Sequence, residues 1–410
     1  MSVTLRGVNF SGGRAQRRIL VALVALFGLG VAAFGAADWY YAGQIGAGAL
    51  VVDHTAPTYN LTVRSFTNGQ VLLRPAPNTH TDDRLRTSGE WGLTWPGGAG
   101  VVTGPPQPGS DGAVARALRV STGVAPAAGT PAVLNNNVWT DPTTAYGDVL
   151  QNITYPCAGG TCPAWYIPGR SSTWFVAVHG DNTTRSETLR ALGPALTASL
   201  PALLIAYRND PGAPPDPSGR HQQGATEWRD LAQAVDYATD HGARHVVLFG
   251  ASMGGAIVAS FLQHSPPATP VTGIVLDAPM LDLRATVDYG ATQRTLPLLD
   301  TPLPQVLTGT AEWLASWRYD LNWEQVNYLP GTWIHVPTLI FHGAADDTVP
   351  ISTSQQLRAA HPDLVQLVPV PGAGHVQSWN LDPTGYETHE SAFLTRVTTT
   401  QLAPAHTTAK

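Results

Sequence analysis

Three hydrophobic patterns divide the chain. The first is an uninterrupted apolar run from Ile19 to Ala37 with no polar face. About 19 residues rising ~1.5 Å each cover close to 30 Å, the thickness of a bilayer core. Arg14, Arg17 and Arg18 precede the run; Asp38, Trp39, Tyr40 and Tyr41 follow it. Positive charge before the span and aromatic residues after it predict a cytoplasmic segment over 1–18, a transmembrane helix over 19–41, and export of everything beyond. A signal peptide cut near Gly35-Ala36-Ala37 is the alternative and would give a secreted protein, although the run is longer than an ordinary signal core.

The second pattern, over 42–147, is one of short strands and turns. Tyr59 to Arg64 and Gln70 to Arg74 flank Asn68-Gly69, a hairpin signal. Gly100 to Val102 and Ala117 to Val120 follow, with a Pro/Gly-rich link from Gly104 to Gly112. A small β-rich domain next to the membrane is expected, with no readable function beyond a structural or spacer role.

The third pattern begins near 148. Val149 to Tyr155 and Ala164 to Ile167 read as a hairpin. Apolar runs at Trp174–Val178, Ala202–Ala206, His245–Phe249, Ile274–Leu276, Thr338–Phe341 and Leu364–Val370 have the look of buried parallel strands. Helical segments at Ser186–Ser199, Thr226–Asp240 and Met253–His264 lie between them. Alternating strands and helices predict an α/β fold, a doubly wound, mostly parallel sheet over 148–397, with sites at the carboxyl ends of strands. From 281 to 335 the alternation lapses into a Trp- and Leu-rich insertion. Such a stretch is either a cap over the site or an ordinary helical extension. A disordered tail is expected over 398–410.

Composition changes this picture little. The net charge is −6 and no basic cluster marks a nucleic-acid partner. The only cysteines, Cys157 and Cys162, bracket a turn of four residues; in an exported protein that spacing points to a disulfide, with two free thiols as the alternative. No metal or organic cofactor is implied, since the histidines show no ligand spacing. Asn60-Leu61-Thr62 and Asn152-Ile153-Thr154 are glycosylation acceptors only in a host that glycosylates.

The chemistry is concentrated where the strands end. Gly250-Ala251-Ser252-Met253-Gly254 joins a buried strand to a helix, the context that a G-x-S-x-G elbow needs to hold its serine in a strained turn. A serine hydroxyl is a weak nucleophile until a base takes its proton, and that base must be held in one tautomer. His342-Gly343-Ala344-Ala345-Asp346-Asp347-Thr348-Val349-Pro350 follows one late strand, and Pro371-Gly372-Ala373-Gly374-His375 follows the last.

With these three motifs, residues 148–397 resemble the α/β-hydrolase family, in a membrane-anchored form. The resemblance implies Ser252 as nucleophile, Asp346 as orienting acid and His375 as general base. His179-Gly180-Asp181-Asn182 resembles the family's oxyanion loop, which implies the backbone N–H groups of Asp181 and Met253 as donors. The family usually has an apolar residue or glycine at 181; an aspartate facing the site would oppose an oxyanion, so its side chain is expected to turn away. Asp347 and Asp277 are alternative acids, and Asp347 could instead cap the helix near Ile351. His179 and His342 read as turn-packing residues. Tyr207–Asp210 with Glu227–Asp230 line the pocket or form a buried salt-bridge set. The expected activity is hydrolysis of a small-molecule or lipid-like acyl ester or thioester. A peptidase of the same fold and a catalytically silent binding domain are the alternatives.

Overall fold

The computed structural model describes residues 13–79, 82–147, 150–265, 270–294 and 304–399. An apolar helix comes first, α1 (Gly13–Ala49), whose large side chains from Ile19 to Phe34 are all exposed. Then six strands close a barrel: β1 (Leu61–Thr67), β2 (Gln70–Pro75), β3 (Trp91–Trp95), β4 (Gly98–Pro108), β5 (Val114–Gly123) and β6 (Pro131–Asn135). Their spatial order is β1-β2-β5-β4-β3-β6, with β6 returning to pair with β1. The hairpin β1–β2 turns at Asn68 and Gly69, both at positive φ (51° and 73°), a conformation open to Asn and Gly. Alternate residues Leu61, Val63, Val71, Leu73, Trp91 and Leu93 fill the interior. One buried arginine, Arg116, donates to the carbonyls of Arg84, Thr87 and Gly89 at 3.0–3.2 Å; burial lowers its pKa to about 10.

After a short helix, α2 (Pro142–Tyr146), the eight-stranded sheet begins: β7 (Gln151–Cys157), β8 (Gly160–Ile167), β9 (Thr173–Val178), β10 (Ala202–Ile205), β11 (His245–Ala251), β12 (Val271–Asp277), β13 (Thr338–Gly343) and β14 (Val365–Val370). The order is β14-β13-β12-β11-β9-β10-β8-β7. The six strands from β9 to β14 run parallel, and β8 is antiparallel to both β7 and β10. β9, β10 and β13 are buried along their whole length, as strands covered on both faces must be. A disulfide between Cys157 and Cys162 closes the β7–β8 hairpin, and the described residues contain no free cysteine.

The covering helices are α3 (Leu192–Thr197), α4 (Trp228–Asp240), α5 (Met253–His264), α6 (Leu283–Thr292), α7 (Gln305–Tyr319), α8 (Ile351–Ala360), α9 (Ser378–Leu381) and α10 (Pro383–Thr399). The single helix expected over Ser186–Ser199 is instead a 3-10 turn, Arg185–Ala191, followed by α3. Pro194 has no N–H to continue a helical ladder and is tolerated only in the first turn of a new helix. Thr398 and Thr399 belong to α10, so the expected disordered tail does not begin at 398; residues 400–410 lie outside the described residues.

Residue contacts divide the chain into two compact units. One holds the barrel, the sheet and its helices; the other combines Met1–Gly48 with Ala291–Asn322 from the insertion. Within the second unit α7 lies against α1. Thr310 Oγ1 donates to Asp38 Oδ1 at 2.7 Å, the Arg318 guanidinium sits 4.3 Å over the Trp39 ring, and the Tyr319 ring fills the space beside Gly46 where a Cβ would stand. A Cβ at 46 would push the Tyr319 ring aside.

Candidate active site

Strand β11 is apolar and buried until it reaches Gly250, where the backbone turns sharply into α5. At the apex Ser252 has φ 49° and ψ −118°, a strained conformation for a residue with a Cβ. The turn is pinned from β12: Ser252 N–H donates to Asp277 O at 2.9 Å, and Met280 N–H donates to Ser252 O at 3.0 Å. A Cβ on Gly250 would lie 2.6 Å from Gly254 O, and one on Gly254 would lie 2.8 Å from His179 O. Both glycines are therefore fixed by close approach of backbone.

Two loops bring partners to the serine. His375 Nε2 is 2.8 Å from Ser252 Oγ, and His375 Nδ1 is 2.8 Å from Asp346 Oδ2. With a carboxylate facing Nδ1, that nitrogen carries the proton and Nε2 is left to accept from the hydroxyl. The other oxygen of Asp346 accepts from the N–H groups of Thr348 and Val349 at 2.9 and 2.8 Å. Asp346 is buried, but its bonds to His342 and His375 more than offset burial and hold it below the ordinary aspartate range. For His375 burial disfavours the charge, yet Asp346 outweighs it and raises the pKa above the ordinary value.

The other sequence candidates fall elsewhere. Asp347 is exposed and accepts from Thr348 Oγ1 at 3.2 Å; the helix near Ile351 begins at Pro350 without a side-chain cap. Asp277 is buried, with a pKa raised to about 6 by desolvation, and accepts from Tyr386 OH at 3.5 Å. His342 bonds Ser354 Oγ and Val349 O, and its Nε2 is 3.4 Å from Asp346 Oδ2. It buttresses the acid rather than facing the serine.

Beside Ser252 runs the loop after β9. A Cβ on Gly180 would stand 3.1 Å from Ser252 Cβ, a tight contact that places this loop directly beside the serine. Gly180 N–H donates to Glu187 Oε2 at 2.7 Å. The N–H of Met253, at the first position of α5, makes no hydrogen bond among the described residues. Asp181 is partly buried; burial raises its carboxyl, whereas His375 and its own backbone N–H pull it down.

Residues 212–330, which include the elbow, match the family model described as serine aminopeptidase, S33 (Hydrolase_4). The chain has the α/β-hydrolase fold, and this segment of it matches that family's model. Two uncharacterized proteins of Mycobacterium tuberculosis, from strains CDC 1551 and H37Rv, are each 30% identical over 224 residues; the match spans 52% of this chain and 66% of each relative. Among solved structures, an esterase of Pyrococcus furiosus is similar at 19% identity, over 63% of this chain and 95% of that one, with a TM-score of 0.48. An esterase from Rhodococcus is similar at 16% identity, over 61% and 100% of the two chains, with a TM-score of 0.41.

In this α/β-hydrolase fold several groups that sequence reading missed hold the loops. Asn136, just past β6 of the barrel, donates to His375 O at 3.1 Å and accepts from Arg84. Asn137 donates to Thr183 and Ser186, on the loop that follows Asp181. Arg190 donates to Val376 O and Asn380 Oδ1, both at 2.6 Å, and Asn380 Nδ2 reaches back to Glu90 O and Asn136 O. Three consecutive asparagines at 135–137 are a loop-capping signal, but nothing in the sequence says what they cap. The segment after α1 is tied to the same region: Asn182 accepts from Asp53 N–H and donates to Val51 O. Arg208 is paired with Asp230 and Asp216 in a buried set behind the site, and His179 with Asp210. Among the described residues no three His, Cys, Asp or Glu side chains are grouped to hold a metal ion.

Proposed function

We propose that the chain is a serine hydrolase that cleaves carboxylic esters and thioesters through an acyl-enzyme on Ser252. The observation that carries this reading is the unbroken path Ser252 Oγ–His375–Asp346, 2.8 Å at each step. As Ser252 Oγ attacks the acyl carbon, its proton passes to His375 Nε2, and the imidazolium is stabilised by Asp346. The alkoxide of the tetrahedral intermediate is held by the Met253 N–H, with the Asp181 N–H as the second donor. Collapse expels the alcohol or thiol, which takes the proton from His375. Water then repeats the sequence and frees the acid.

The long exposed apolar helix α1 and the disulfide support placement of the hydrolase outside a cytoplasmic membrane, with α1 as anchor and the N-terminus inside. A serine peptidase is the second reading, favoured by the family description that matches the chain. A panel of p-nitrophenyl esters set against aminoacyl and prolyl p-nitroanilides separates the two. Ester turnover at least tenfold above amide turnover is expected; the reverse order would overturn the ester reading.

The barrel enters the same proposal through Asn136. Removing its amide frees the His375 carbonyl without touching the imidazole, and a small misplacement of a base is enough to slow proton transfer. Asn136→Ala is expected to lower kcat roughly tenfold with little change in KM. Steady-state kinetics on the folded variant check this, and an unchanged kcat would show that the barrel does not position the base.

A further inference from the structure

Helix α7 presents two opposite faces. Leu307, Ala311 and Ala315, spaced by four, are buried. On the other side Val306, Trp313 and Trp317, spaced by seven and four, form one stripe and are 67%, 71% and 71% exposed. Indole rings that open to water are unfavourable on a soluble surface, and an exposed apolar stripe on a helix marks an interaction site. Tryptophan is also the residue best suited to the boundary between lipid and water, with an apolar body and one N–H donor.

The contacts between α7 and α1 say which surface meets the stripe. Thr310 sits beside Asp38, Arg318 over Trp39, and Tyr319 beside Gly46. Between the first and last of these contacts nine residues along α7 match eight along α1, with the long Arg318 side chain reaching back to Trp39, so the two helices run side by side in the same direction. Asp38 is the first charged residue after the apolar run, and Trp39 and Tyr40, 51% and 59% exposed, stand where the bilayer core would end. At about 1.5 Å per residue Trp313 lies within one helical turn of that level, and Trp317 about two turns beyond it. The stripe thus continues the exposed apolar surface of α1 into the depth occupied by lipid headgroups.

We propose that α7 docks on the outer surface of the bilayer that α1 crosses, with Trp313 and Trp317 seated in the headgroup layer and Val306 at the edge of the acyl core. The inserted segment would then be a second membrane contact and not a free helix. This rests on reading α1 as a membrane span, and the test separates the two claims. Because Cys157 and Cys162 are bonded to each other, a single introduced cysteine can be labelled selectively. Full-length Trp317→Cys and, separately, Leu26→Cys are labelled with an NBD fluorophore and reconstituted in phosphatidylcholine/phosphatidylglycerol liposomes. Trp313→Cys serves as the replacement if Trp317→Cys does not fold. The label at 26 should be quenched by nitroxides deep in the acyl chains. The label at 317 should lose roughly half its emission to headgroup-level nitroxides and be shielded from aqueous iodide. Deep quenching at 26 with free iodide access at 317 would overturn the docking and leave the span intact. Absence of deep quenching at 26 would remove the span, and the proposal with it. Shielding from iodide at 317 without any lipid quenching would assign the stripe to a second copy of the chain and overturn the proposal.

Discussion

Ser252→Ala is expected to lower ester turnover by about 10⁶-fold while the protein stays folded, because the nucleophile and its base act as one unit. The side chain is small, and the elbow does not depend on its hydroxyl. The turn is fixed by backbone bonds from Ser252 to Asp277 and Met280 and by two close-packed glycines. Alanine at 252 must still adopt the strained φ of 49°, so stability should change little. A residual rate of about 10³ over the uncatalysed reaction is expected from the oxyanion donors alone. Progress curves with a p-nitrophenyl ester, alongside thermal unfolding of both proteins, measure the two quantities. A folded variant that retains even a hundredth of the activity would point to a different nucleophile.

Asp346→Asn should be the second-largest loss, about 10⁴-fold in kcat, because an amide favours the wrong imidazole tautomer. Its pH dependence carries a sign as well. In the proposed mechanism neutral His375 is the active form, so kcat/KM should rise as pH climbs through its pKa. Asp346 raises that pKa, which places the acid limb of the parent protein above the ordinary histidine value of about 6.5. Without the carboxylate the imidazolium loses its partner, and whatever activity remains should show its acid limb at lower pH. Asp347→Asn and Asp277→Asn should leave both the rate and the limb close to the parent. Equal, mild losses at 346 and 347 would contradict the assignment, as would a limb that moves upward in Asp346→Asn.

The sheet and the three approaching side chains were legible because each is written locally. Val246 to Phe249 is a buried strand by its apolar run, and the glycines that allow the elbow lie within four residues of Ser252. The Asn68-Gly69 hairpin and the cysteine-closed turn were readable for the same reason. The groups that hold the loops were not. Asn136 and His375 are separated by 239 residues, and Asn380 and Glu90 by 290. Pairing at that distance leaves no periodicity in the sequence, since any loop asparagine looks alike until the fold closes. The barrel was for that reason read as a plain structural module, although Asn136 at its end bonds the loop of His375. The helix break at Pro194 was written in the sequence and needed only the rule that proline cannot sit deep in a helix. The exposure of Trp313 and Trp317 on α7 was hidden by composition, since a Trp- and Leu-rich stretch reads equally as a buried cap or as a helical extension.

The most direct test of the account is covalent capture of the nucleophile. Folded protein is incubated with a fluorophosphonate near pH 8, and the adduct is located by peptide mass spectrometry. The account predicts one phosphonyl group on Ser252, lost in Ser252→Ala and slowed severely in His375→Ala. No adduct on folded protein, or an adduct on a residue other than Ser252, would contradict it.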